Sequence, residues 1–442
     1  MKIDSRISGA LAGVIVIWAM LMNALQAQQV SHWETVYPNP GSDTTMRSPS
    51  MFDITCIDDS RCFVAMNNGL LATTDGGEHW NYTELIPDTV QLLKPLRAIT
   101  VTDDGTLWTC GWYGALFRST DNGETWEDRS LAPEYDMEDI HFIDADIGWI
   151  AGDSSDVNNS LGKGCILKTT NGGEDWFIAS LLLPDPPDAP FWVTWMGIQF
   201  VSRKVGYAVG RRNSVARSDD GGLTWNLFYP LPTYTERFSV FAHDEDRVFV
   251  GGDQASLLWS DNGGVDWYKD RVGSTVNYDI HFIDDEVGII VGSNGVAITG
   301  DGGRNWTADP LPEGGDHRCR AVFVSDQYAW VVTEGGEIYR RSGGRTLGLN
   351  SSPYPMTMSL HAFPSPLSLM ETGKVHLTTP EATDIDVALY DMLGRHRATV
   401  WSGHLSRGVH ILSLRAPATA GVYFLRAHTT QNAVTRSLMV VH

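Results

Sequence analysis

The chain has 442 residues, a formal net charge of −22, 42% hydrophobic residues, 16 Trp and 44 Gly. This acidity argues against a nucleic-acid partner, which needs a basic surface, and disfavours docking on anionic lipid. The length allows more than one domain, and the Trp and Gly content fits a turn-rich, all-β globular protein.

Residues 1–27 read as a secretory signal. Lys2 and Arg6 precede a mostly apolar run from Ile7 to Met22, short for a membrane span, and Leu25-Gln26-Ala27 makes a cleavage-type ending. An uncleaved anchor is the alternative. The mature chain is expected to begin near Gln28, and a removed signal leaves no integral membrane segment. Next, His32-Trp33-Glu34-Thr35-Val36-Tyr37 looks like a strand that should follow a turn, yet no turn precedes it.

Across residues 28–347 one pattern recurs, Ser/Thr-x-Asp/Asn-x-Gly-x-x-Trp. Its third position is Asp75, Asp121, Asn171, Asp220, Asn262 and Asp301, and it closes on Trp80, Trp126, Trp176, Trp225, Trp267 and Trp306. A worn seventh copy runs from Arg340 to Leu347, with Ser342 and Gly344 in register. A period of about 40–50 residues marks stacked supersecondary units. Short apolar strands flank each copy, so each reads as a hairpin turn. The Asp or Asn accepts backbone N–H groups two or three residues on, Gly supplies a positive φ, and Trp buries its body between sheets. A catalytic residue has no reason to recur in every unit and a turn staple does. These acids are therefore read as structural rather than metal-binding or catalytic.

Each unit opens with a strand pair, such as Asp139-Ile140-His141-Phe142-Ile143 followed by Ile147-Gly148-Trp149-Ile150-Ala151-Gly152. Four antiparallel strands repeated seven times make a seven-bladed β-propeller. The last unit lacks its closing Trp, so the Trp33 strand is expected to supply its outer strand and close the ring. The turn resembles the Asp-box of bacterial neuraminidase repeats (BNR). The whole unit, with its Gly-Trp/Tyr-x-x-Gly second strand, resembles the photosystem II assembly/stability factor family of propellers. That resemblance speaks to fold far more than to activity.

Five cysteines are present. Cys56 and Cys62 flank a turn and are candidates for a disulfide in an oxidising compartment; Cys110, Cys165 and Cys319 read as buried strand residues. The irregular segments Ile86–Pro95, Asp153–Gly164, Leu181–Trp195, Pro230–Glu236 and Pro310–His317 should share the face opposite the Asp-box turns, where a rigid scaffold displays binding loops. Candidate binding residues on that face are Trp112, Tyr113, Trp192, Trp195, Arg211 and Arg212. Aromatics beside carboxylates suit sugar rings or a partner protein, though the same rings can equally fill gaps between blades.

After Leu347 the pattern stops. Residues 348–360 read as a linker, and residues 361–442 as a small β-sandwich of short alternating strands. This tail carries seven basic and five acidic residues, so the acidity belongs to the propeller. Three pieces resemble the C-terminal sorting domain of the type IX (Por) secretion system: Phe363-Pro364-Ser365-Pro366, Leu389-Tyr390-Asp391-Met392-Leu393-Gly394-Arg395, and Gly421-Val422-Tyr423-Phe424-Leu425-Arg426 with a last strand ending Met439-Val440-Val441-His442. The departures are Ser365 in place of Asn and a terminal His in place of Lys or Arg. The resemblance implies secretion machinery as a partner, export through the periplasm and outer membrane of a Bacteroidota-like cell, removal of the tail, and release or surface attachment.

No catalytic residue is singled out. The sialidase Arg-Ile-Pro signature is absent, with only Arg47-Ser48-Pro49 near its place, and no Gly-x-Ser-x-Gly elbow, His-Glu-x-x-His helix or phosphate loop occurs. The expectation is a monomeric, secreted or cell-surface binding propeller for a protein or glycan, with no cofactor and no metal. The alternative is a secreted glycoside hydrolase with a carboxylate pair on the loop-rich face.

Overall fold

The computed structural model describes residues 32–37, 50–87, 95–156, 159–181, 194–228, 235–273, 275–315, 317–344, 359–363, 367–370, 372–379, 383–405, 408–429 and 433–441. The expected signal (1–27), Trp192 with its loop, Leu347, most of the linker, Pro364-Ser365-Pro366 and His442 lie outside them. Among the described residues no helix is long and apolar enough to cross a membrane.

Seven four-stranded antiparallel sheets are present. Their inner strands are Met51–Cys56, Leu96–Val101, Tyr135–Phe142, Trp195–Phe200, Arg237–Ala242, Asn277–Phe282 and Cys319–Val324. Each packs against its neighbours and the seventh against the first, which closes a seven-bladed ring. The second strands, such as Cys62–Met66, Val248–Gly252 and Gly288–Gly292, are buried at every position. A blade covers each of their faces, so they read as unbroken apolar runs.

The N-terminal strand Trp33–Tyr37 pairs antiparallel with Ile338–Ser342 and becomes the outer strand of the seventh blade. The Trp33 indole donates to Asp309 Oδ2 at 2.6 Å, and Arg341 pairs with the same carboxylate. Arg340 binds Glu34 at 2.7 Å and Glu78 of the first blade at 3.3 Å. Joining the two ends of the ring in this way completes the seventh blade's four strands and covers the outer edge of Ile338–Ser342.

Two expectations need correction. The stretch Asp153–Gly164 is mostly not an irregular loop: strands Gly148–Asp156 and Asn159–Thr169 pair as far out as Asp156↔Asn159, past a register shift after Ser154. The ladder propagates outward from its apolar base despite the polar composition. The worn seventh turn is also shifted by one residue. Arg340 pairs with Trp330 as Arg118 pairs with Trp108, so the turn begins at Arg341 rather than Arg340.

The C-terminal residues form a three-stranded sheet (Ser359–Phe363, Thr372–Thr379, Gly408–Arg415) and a five-stranded sheet (Leu367–Ser368, Ala433–Val441, Gly421–His428, Thr383–Asp391, His396–Leu405). Leu360, Val375 and Leu377 of one share a core with Val387, Leu389 and Leu425 of the other, which makes a β-sandwich. The ten-residue strand His396–Leu405 and the parallel pairing Leu367↔Val440 are not evident from the sequence.

Candidate functional site

The six complete Asp-box turns share one hydrogen-bond scheme. In the second blade, Ser119 Oγ accepts from Gly123 N at 2.9 Å and donates to Asp121 Oδ1 at 2.8 Å, which also accepts from Thr125 N at 2.9 Å. The third-position side chain therefore reaches the amide four residues on, in the sixth blade also the Arg304 amide three residues on, and the first-position hydroxyl takes the nearer amide. Where the third residue is Asp, the seventh is a donor: His79, Thr125, Thr224 or Asn305. Where it is Asn, the seventh is the acceptor, Asp175 or Asp266. The Thr125 hydroxyl and amide hold Asp121 down at about 2, and the amide and ring of His79 do the same for Asp75.

These turns clamp blade to blade. Trp176 lies edge-on to Trp108 of the preceding blade at 6.3 Å. Gly173, at φ +75°, leaves no room for a side chain, since a Cβ would meet Trp108 at 2.4 Å. Lys168 covers the Trp149 ring and donates to Gly221 O at 2.8 Å in the next blade's turn. Arg217 covers Tyr207 and reaches Gly263 O at 3.1 Å in the same manner.

The opposite face holds the candidate site, on the ring axis. Every inner strand breaks register at the same point, as between Met51 and Asp53 or between Asn277 and Asp279. The seven bulged residues are Phe52, Arg97, Glu138, Met196, Phe238, Tyr278 and Arg320, and all seven line one cavity of about 190 Å³. Bulges re-aim side chains, and here they aim seven into one mouth. Arg97 lies over the Phe52 ring at 4.7 Å and binds Glu138 at 2.8 Å; the Trp112 indole donates to Glu138 at 2.9 Å. Arg320 lies over Tyr278 at 4.2 Å and binds Glu334 at 2.9 Å, while its Nε has no hydrogen-bond partner among the described residues.

Beneath this collar lie Asp53, Asp139 and Asp279. Each takes its own neighbour's amide with Oδ1 and the next blade's amide with Oδ2: Ile99 N at 2.8 Å, Ile198 N at 2.7 Å and Val322 N at 3.0 Å. They stitch blade one to two, three to four and six to seven. Burial lifts Asp139 to about 7 and Asp279 to about 6, and burial with the field of Asp279 lifts Asp53 well above the usual carboxylate range. One layer deeper, His141 and His281 are held neutral by burial, down at about 4. Among the described residues no three His, Cys, Asp or Glu are grouped to hold a metal ion.

Among the described residues, those singled out from sequence do not assemble into one patch. Trp112 and Tyr113 are partly exposed on the loop-rich face, and Trp112 belongs to the collar through Glu138. Trp195 is fully buried among Trp149, Ile198 and Ala208. It occupies the inner-strand position just before the bulge, where Met51 and Leu96 are also buried, so it is core and not a binding surface. Arg211 sits about half exposed, 3.8 Å from Glu236, and Arg212 takes a left-handed φ of 64° in a tight turn. Arg203 and Arg217 lie on the Asp-box face, where Arg203 binds Asp144 at 2.7 Å, and so add nothing to Arg211 and Arg212. Cys56 and Cys62 are disulfide-bonded across their strand pair, and Cys110, Cys165 and Cys319 are buried. The axial ring was missed in sequence. Its one signal is Asp-Ile-His-Phe-Ile-Asp, repeated at 139–144 and 279–284.

A family model described as photosynthesis system II assembly factor YCF48, of the BNR type, matches residues 187–275. The photosystem II assembly lipoprotein Ycf48 of Synechococcus sp. (strain CC9902) is 27% identical over 299 residues, covering 66% of this chain and 84% of its own. A solved structure of YCF48 bound to D1 peptide superposes with a TM-score of 0.54 at 16% identity, covering 70% of this chain and 94% of the other. Virginiamycin B lyase from Staphylococcus aureus reaches the same TM-score at 13% identity, with 70% and 98% covered. A binding protein and a lyase fit equally well, so these superpositions speak for the fold alone. The family-model match and the Synechococcus relative together support a BNR-type, Ycf48-like propeller.

Proposed function

We propose that this protein is a non-enzymatic binding propeller whose loop-rich face receives a segment of a partner protein. The observation that carries this reading is the seven-fold bulge, which turns one residue of every blade toward a single axial mouth. The mouth's carboxylates are committed elsewhere. Glu138 is held by Arg97 and Trp112, and the three aspartates each bind backbone amides of two blades. Glycoside hydrolysis needs one carboxyl free to give a proton and another free to attack or to activate water. That Ycf48 has been solved with a bound peptide is consistent with a protein ligand here. The photosystem role itself does not carry over to an exported protein.

The same proposal includes secretion, with residues 1–27 as signal and 361–442 as a type IX sorting tail. The test has two parts. The full chain is panned against an unbiased displayed-peptide library while a glycan panel is followed for binding and hydrolysis. Selected peptides without glycan turnover support the reading, and turnover replaces it with a hydrolase. Separately, deleting residues 361–442 in a cell with a type IX system should hold the protein in the periplasm; unchanged export would overturn the sorting assignment.

A further inference from the structure

Resting on that reading, we infer that the axial cavity takes one basic side chain, an arginine or lysine, from the partner segment. The collar's rings, the size of the cavity and its acidic floor converge on that chemistry. The collar already binds guanidinium within the chain, since Arg97 and Arg320 each lie on an aromatic ring at 4.7 and 4.2 Å. Cation–π contact of this kind strengthens when water is excluded. Phe238 and Tyr278, 5.2 Å apart, add a further aromatic edge to the lining, and Met196 supplies a polarizable wall. The cavity, about 190 Å³, can admit the end of one long side chain.

The floor supplies the charge. Asp53, Asp139 and Asp279 feel one another's fields, and their bonds within the described residues go to backbone amides and the Ser239 hydroxyl rather than to any basic side chain. Glu138 adds to the negative field, whereas Arg97 and Arg320 are already engaged by Glu138 and Glu334. His141 and His281, a layer deeper, stay neutral. An entering cation neutralises a like-charge cluster that the fold leaves without a counter-ion. Cation entry favours the ionised carboxyls, so binding releases protons and strengthens as pH rises.

The test titrates the full chain with acetyl-Gly-Arg-Gly-amide, with its citrulline counterpart, and with calcium chloride alone, at pH 5.5 and pH 8. The arginine peptide is expected to bind at least about tenfold more tightly than the citrulline peptide, and more tightly at pH 8. Asp139→Asn with Asp279→Asn should abolish that preference. Phe238→Leu, which leaves the floor intact, should weaken the arginine peptide several-fold and guards against misfolding of the double variant. Equal binding of citrulline, indifference to both variants, or response to calcium alone would overturn the inference. If the library selects peptides without a basic residue, the binding reading stands and this inference falls. If it selects nothing, both fall.

Discussion

The molecule uses aspartate in two opposite ways. On the Asp-box face, Asp75 and Asp121 sit at the surface and accept hydrogen bonds from amides and donor side chains, which holds both at about 2. On the axis, Asp139 also accepts two backbone amides, yet it stands at about 7. Asp121 adds the hydroxyls of Ser119 and Thr125 to its one amide, while at Asp139 burial outweighs two amides. A bond to the ionised form lowers a pKa, but enclosure by seven strands raises it by more. One set of acids favours the ionised fold, and the other makes the fold carry a charge it would rather lose.

The largest effect should come from applying the same substitution to both sets. Asp139→Ala removes the acceptor of Ile140 N and Ile198 N and leaves two enclosed amides without partners. At pH 5 this should cost about 2–4 kcal/mol in urea unfolding followed by Trp fluorescence. Asp121→Ala should cost measurably less, because the amide it abandons is reached by water. Equal losses would mean that solvent access does not separate the two sets.

The pH dependence sharpens the contrast. A carboxyl raised in the fold binds protons more tightly there than in the unfolded chain, so acid favours the native state as pH falls from above 7 toward 4. Wild type should therefore gain stability relative to Asp139→Ala between pH 8 and pH 5. A carboxyl depressed in the fold behaves oppositely: its contribution is present above about 4 and lost as pH falls through about 2. The wild-type advantage over Asp121→Ala should be flat from pH 8 to 5 and vanish only in strong acid. Stability curves for the three proteins between pH 2 and 8 decide it. A parallel response of both variants would refute the assignment.

The two sets were also unequally legible in the sequence. The boxes announce themselves because a hairpin turn is local: Thr73, Asp75, Gly77 and Trp80 interact within eight residues, and the pattern repeats. Ring closure by Trp33 could be read from two complementary defects, a strand without a turn and a turn without a Trp. The axial site is assembled from one bulged residue in each of seven strands, and nothing local marks a bulge in an alternating strand. Phe52 and Met196 look like ordinary strand residues until the ring closes. Trp195 misled in the opposite direction. A proline-rich stretch precedes it, which suggests an exposed loop, but its register places it beside the buried Trp149. Only the duplicated Asp-Ile-His-Phe-Ile-Asp carried a hint. Its role is now visible: in both copies the Asp bonds the next blade's inner strand, where His141 hydrogen-bonds the Phe200 carbonyl and His281 lies edge-on to the Phe323 ring.

The smallest effect lies inside the boxes and tests the complementarity of their third and seventh positions. Asn171 donates to Asp175 at 3.0 Å, whereas Asp121 accepts from Thr125. Asn171→Asp would set two carboxylates against each other at the surface, costing about 0.5–1 kcal/mol at neutral pH and less at high salt. Adding Asp175→Thr recreates the Asp121–Thr125 arrangement and should recover most of the loss, so the double-mutant cycle should give a coupling of the same size and opposite sign. Additive costs would mean that the two side chains are placed together by the turn without depending on each other. The exposed aspartates would then be staples through their backbone bonds alone, and the contrast with the axis would rest on amide donors that both sets share.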